Sequence, residues 1–316
     1  MRSRARRILV TLDGSEHALD SVRYLCQVLP TEGVELVLFS LLNREPEYDL
    51  DTIEGSPAAQ PSAVTSRWRA EQRSSIEKFM EDARLLLVDR GFPADGLKVK
   101  VEERKVGIAR DIIREAQEGY DAVVAGRQGA NPITRLVIGS IASKLLQSLT
   151  FVPLWLVGKT KPNNKILVAL DASEGAARAV EHVGKMLSGT DLDLTLLRVV
   201  RSTGSQPSKK GDGASLAAHR DDSESGVDTD AFSHEVFGRA AQILQEAGFS
   251  QDRITAKVIS GVATRSGSII AQATAGGYGT IVMGRRGHSR VGEFSMGRVT
   301  NKVIQLAGRV AVWVVN

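Results

Sequence analysis

The sequence predicts two tandem α/β domains, each a doubly wound, five-stranded, mostly parallel sheet with helices on both faces. Three observations predict it. The chain repeats itself at domain length. RILVTLDGSEHALDSV (7–22) returns as KILVALDASEGAARAV (165–180), GYDAVVAGRQG (119–129) as GYGTIVMGRRG (277–287), and VPLWLV (152–157) as VAVWVV (310–315). Asp13 and Asp171, Tyr120 and Tyr278, and Gly139 and Gly297 each stand 158 residues apart. Solenoid repeats run to roughly 20–50 residues, so a period this long is a duplicated domain. Within each half, apolar runs alternate with helical patterns, and βαβ order implies a parallel sheet. Finally, each half carries three glycines at one spacing after its fourth apolar run.

The elements follow in order. ILVTL (8–12) is continuously apolar, as a strand buried on both faces should be. Ser15 caps the helix after it, which ends before Pro30. ELVLFSLL (35–42) is the second strand. A polar loop leads to a long helix with Ile76, Phe79, Met80, Ala83, Leu86 and Leu87 at helical spacing, ended by Gly91. LKVKVE (97–102) alternates and reads as a less buried third strand. RDIIREAQ (110–117) is helix, AVVA (122–125) strand, and SIASKLLQSL (140–149) helix. PLWLV (153–157) is the fifth strand, with Pro153 at its start, where a missing N–H is tolerated. The second half repeats the plan. The boundary falls near KTKPNN (159–164), giving domains 1–160 and 161–316. The second half's loop, residues 201–230, is rich in Ser, Gly, Asp and Lys and is expected to be flexible.

Composition excludes several classes. The single cysteine, Cys26, rules out an intrachain disulfide and reads as a small buried hydrophobe on a helix face. A net charge of +4 is mild and implies no specific nucleic-acid partner. No run approaches 18 apolar residues, and MRSRARR lacks a signal peptide's apolar core, so no membrane partner is expected and the chain reads as cytoplasmic.

GRQGANPITRLVIGS (126–140) starts where the fourth strand ends. In an open parallel sheet, ligands sit at the strands' carboxyl ends. Glycines there let backbone approach a ligand. Gly139-Ser140 then opens a helix, whose free N–H groups and partial positive charge favour an anion. Asp13 and Asp171 stand just past strand one, placed to accept from ribose hydroxyls or to face a metal. Together these describe a phosphate cradle. GxxxxGK[ST], GxGxxG after strand one, GxSxG and Cys/His zinc clusters are all absent. His288 alone of five histidines lies in a candidate site, and reads as a solvated loop residue.

These residues resemble the universal stress protein family in its tandem, two-domain form. The family's ATP signature, G-x2-G-x9-G-[ST], is matched by Gly126, Gly129, Gly139 and Ser140. Gly284, Gly287 and Gly297 match it too, but Arg298 stands in the hydroxyl position. The resemblance implies ATP, with Mg²⁺ or Mn²⁺, as the ligand. It places the base near Thr11, Leu41 and Ala125 in half one and Ala169, Val199 and Met283 in half two. It further implies pairing through the last strands (153–157 and 311–315), and a homodimer. The function it implies is stress response or regulation rather than dedicated catalysis, with no catalytic residues and no protein metal site assigned. The alternative is a slow ATPase or nucleotide-transferring enzyme, against which stands the lack of a poised general base or a lysine beside the glycine loop. Arg298 leaves two outcomes open. It can bind phosphate bidentately, or it can fill the phosphate's space. With Arg285, Arg286 and Arg290 beside it, weaker or altered binding in half two is expected.

Overall fold

The computed structural model describes residues 4–42, 63–128, 138–159, 163–201, 229–287 and 296–316. These form two compact units, Met1–Pro162 and Asn163–Asn316. Most of the segment expected to be flexible, 201–230, lies outside the described residues; Arg201 ends a strand and Thr229 opens a helix.

Unit 1 runs β1 (Arg6–Thr11), α1 (Glu16–Val28), β2 (Val34–Leu42), α2 (Ala63–Asp89), β3 (Leu97–Glu103), α3 (Ile108–Ala116), β4 (Ala122–Gly126), α4 (Ser140–Ser148) and β5 (Leu154–Val157). Its strands lie in the order β3-β2-β1-β4-β5, every pair parallel. The chain winds outward from β1 through β2 to β3, then returns to β4 on the other side of β1. Right-handed crossovers put α1 and α2 on one face and α3 and α4 on the other, and the helices pack in those two pairs. The order reverses between β1 and β4, the point where an open parallel sheet leaves a crevice at the strands' carboxyl ends.

Local chemistry explains the elements. Ile8, Leu9 and Val10 of β1 are buried, because helices cover both faces of a central strand. The Ser15 hydroxyl accepts from the Ala18 amide at 3.2 Å and caps α1. Gly91 ends α2 with φ +91, a left-handed turn that favours glycine. Edge strand β3 alternates Lys98 and Lys100 with Val99 and Val101, which keeps a flat edge from pairing with another chain. Trp155, at the centre of β5, is fully buried. Cys26 is half-buried rather than fully buried. Burial pushes its thiol pKa up, while Arg90 pulls it down to a lesser degree.

Unit 2 repeats the plan: β6 (Lys165–Leu170), α5 (Glu174–Leu187), β7 (Asp193–Arg201), α6 (Thr229–Glu246), β8 (Ile254–Val262), α7 (Arg265–Ala275), β9 (Thr280–Gly284), α8 (Arg298–Leu306) and β10 (Ala311–Val315). Its strand order is β8-β7-β6-β9-β10, again all parallel, with a bulge between β7 and β8 at Val199/Arg201. Ser173 caps α5 as Ser15 caps α1. Among the described residues, no helix is long and apolar enough to cross a membrane.

Candidate functional site

In unit 1 the crevice between β1 and β4 opens into a cavity of about 290 Å³. That is near the lower end of small-ligand pockets, about 300–1,000 Å³. Thr11, Asp13, Leu41, Ala125, Gly126, Gly139 and Ser140 all line it, brought together from the ends of three strands and the start of α4. Gly129 and His288 lie outside the described residues.

Each wall has a local cause. Thr11 donates its hydroxyl to the Val124 carbonyl at 3.0 Å, tying the end of β1 to β4. Asp13 accepts from the Ser15 amide (3.1 Å) and hydroxyl (2.6 Å) through one oxygen, Oδ1. The capping serine thus holds the carboxylate at the cavity mouth, and Oδ2 takes no part in that pair.

The floor is the end of β4. Arg127 donates its amide to the Val157 carbonyl at 2.7 Å, and its own carbonyl accepts from the Gly139 amide at 2.9 Å. This backbone pair fixes the start of α4 against the strand end. Gly139 is the N-cap of α4 and supplies no side-chain cap. The first amides of α4 therefore face the cavity without the hydroxyl that Ser15 provides for α1, and with Ser140 exposed beside them. Arg127 itself is buried, and burial pushes its pKa down. The backbone dipoles at the start of α4 favour an anion at this end of the cavity.

Several lining residues were not expected: Phe39 on β2, Ile108 and Ile112 on α3, and Gln128, Ile141 and Ala142 around the glycine turn. Phe39 stands two residues before Leu41, so strand alternation could have found it. Ile108 and Ile112 lie four apart on one helix face. Their placement depends on Asp111, whose carboxylate is buried and accepts from the amides of Lys105 (2.8 Å), Val106 (3.2 Å) and Gly107 (3.3 Å). Burial alone would raise its pKa, but these bonds and the Arg114 guanidinium at 3.0 Å outweigh it and hold the carboxyl below its usual range. Asp111 thus folds the 105–107 turn and sets the angle of α3.

Unit 2 places the corresponding residues differently. Val199 and Met283 are buried in an apolar cluster with Leu197, Ile269 and Val303, and Ala169 packs against it. Asp171 is half-buried and, like Asp13, accepts from its capping serine, Ser173. Gly284, Gly287 and Gly297 sit in a tight backbone junction, and Arg298 is exposed as the first residue of α8. Arg285, expected to make the neighbourhood basic, is buried and donates its Nε to the Asn316 side chain; burial, then Arg286, lowers its pKa to about 10.

Comparison with known proteins agrees with this architecture. The model of the universal stress protein family matches the chain twice in tandem, over residues 4–158 and 162–316. A universal stress protein of Mycolicibacterium smegmatis is 26% identical over 204 residues, which are 63% of this chain and 66%, just under two thirds, of that protein. The crystal structure of a universal stress protein from Archaeoglobus fulgidus covers 98% of this chain and 96% of its own, at 20% identity and a TM-score of 0.60. A universal stress protein solved in complex with cAMP matches 48% of this chain and 96% of its own, at 16% identity and a TM-score of 0.34. The tandem match spans both units almost end to end, and the chain belongs to the universal stress protein family.

Proposed function

We propose that unit 1 binds an adenine nucleotide, ATP, and that the chain acts in stress response or regulation rather than as a dedicated catalyst. The observation that carries this is the cavity at the strand-order reversal, closed on one side by a helix start whose N-cap is glycine. Its two ends differ in chemistry. Phe39, Leu41, Ile108, Ile112 and Ala125 make an apolar slot for a planar base. Gly126, Gly139, Ser140 and the first amides of α4 make a polar rim for phosphates. Asp13 stands at the mouth, placed for ribose hydroxyls or for a divalent cation carried in with the phosphates. Among the described residues, the only carboxylate lining the cavity is Asp13, whose Oδ1 is engaged by Ser15.

The test is mass spectrometry of ligand released by heat from freshly purified chain, with calorimetric titration of the stripped protein by ATP. Recovery of an adenine nucleotide, and binding lost on Gly126→Val, are the expected results. No recovered nucleotide and no heat on titration would overturn the reading. A phosphate-release assay on the same preparation separates a binder from a slow ATPase.

A further inference from the structure

Unit 2 carries the same glycine spacing as unit 1, yet its junction is built differently. A Cβ added at Gly287 would lie 2.2 Å from Oδ2 of Asp171, so the turn after β9 rests directly on that carboxylate. A Cβ at Gly284 would lie 2.6 Å from the carbonyl carbon of Gly175, and one at Gly175 2.4 Å from the carbonyl oxygen of Arg286. The first turn of α5 therefore touches the end of β9 backbone to backbone. In unit 1 the position of Gly175 is held by His17, which is exposed. The nearest atom to a Cβ at Gly126 is the Gln128 carbonyl oxygen at 3.3 Å, and nothing of α1 comes within 4 Å. Among the described residues, α1 keeps clear of Gly126 where α5 abuts Gly284.

The base end differs in the same sense. Unit 1 lines its cavity with Thr11, Leu41, Ile112, Ala125 and Ile141. The counterparts in unit 2, Ala169, Val199, Ile270, Met283 and Val299, belong to or pack against one apolar cluster. Met283 extends a thioether arm where Ala125 has a methyl. Strand pairing adds to it: Leu41 is paired with Glu102 on β3, but Val199 is paired with Ile259 on β8, which also packs on the cluster. At the base end of unit 2, apolar side chains thus stand where unit 1 lines its cavity.

We infer that unit 2 is closed to nucleotide, so that the chain binds one nucleotide, not two. Its glycines serve close packing between β9, α5 and Asp171. The stoichiometry rests on the reading of unit 1 as the nucleotide site; the closure of unit 2 does not. Arg298 then opens α8 beside this junction rather than replacing a phosphate-binding hydroxyl in a working site.

Two measurements on the full chain test this. Titration with ATP should give one site per chain, and Ala125→Met, which imports the residue of unit 2, should lower the affinity at least tenfold and leave no second site. Two sites in the unmodified chain, or one undiminished site in Ala125→Met, would overturn the inference. The second measurement needs no nucleotide. In a Cys26→Ala background, Leu41→Cys and Val199→Cys are labelled with a small thiol reagent. The cysteine at 199 should react at least tenfold more slowly; equal rates would show unit 2 to be open. If ATP does not bind at all, the reading of unit 1 fails, and the labelling ratio alone decides whether unit 2 is closed.

Discussion

Replacing Asp111 by alanine should unfix the turn that sets α3 and weaken unit 1 selectively. The carboxylate is buried and accepts three backbone N–H bonds, with Arg114 alongside. A hydrogen bond to a charged group contributes about 1.5–3 kcal/mol net. Two of the three bonds are at 3.2 Å or longer, so the set counts for less than its number, and the half-exposed Arg114 adds little. The expected loss is about 3 kcal/mol, or about 6–12 °C in the midpoint at roughly 2–4 °C per kcal/mol. Hydrogen exchange resolved by peptide reads it locally: amides from 105 to 116 should open, while peptides of unit 2 serve as the internal control. The pH dependence has a fixed sign. The folded carboxyl sits below its unfolded value of about 3.9. Its contribution is therefore complete above that value and is lost as pH falls through the folded one. Wild type and Asp111→Ala should differ at pH 7 and converge in acid. Exchange at 105–112 that is unchanged by the substitution, or a difference that persists undiminished at the lowest pH, would refute this account of the turn.

The glycine contacts predict an asymmetry in stability. Gly284→Ala should cost about 2–3 kcal/mol, because its Cβ meets Gly175 backbone, while Gly126→Ala should cost less than about 1 kcal/mol; urea midpoints compare them. Ala172 holds φ +59 where unit 1 has Gly14 at φ +78. Ala172→Gly should stabilise unit 2 by about 0.5–1 kcal/mol, and a lower denaturation midpoint would count against it. Ser15→Ala removes both the cap of α1 and the partner of Asp13, so stability should fall by about 1 kcal/mol and ATP affinity should fall with it. Equal affinity in that variant would separate Asp13 from the ligand.

The strand and helix plan was legible because it rests on period. Apolar runs of central strands such as β1 and β4, and the helical spacing of Met80, Ala83 and Leu87, report burial directly. The glycine turn was legible because its spacing is chemically restrictive. What escaped depends on contacts between distant segments. Gly175 reads as an ordinary position in a helix, and nothing local announces that Arg286 backbone will lie against it. Arg127 and Arg285 look like solvated cations, yet strand-end packing buries both. Asp111 sits in a charged helical stretch, RDIIRE, and only the folded turn turns it inward. Met283 was placed near a base by its register. Register cannot tell that Val199, Ile259 and Ile270 converge on it.

In both units the amide of the glycine before the last helix closes on the carbonyl two residues after the preceding strand's last apolar residue: Gly139 on Arg127, and Gly297 on Arg285. Arg127 is therefore tied to Gly139, and Arg285 to Gly297, by one hydrogen bond that makes a neck between residues twelve apart in sequence. For such a loop, doubling the length costs only about 0.6 kcal/mol in closure entropy, and the neck holds the helix start in place whatever runs between. The entropic cost of lengthening what lies between the two ends of a neck is therefore small beside the stability of the sheet beneath it.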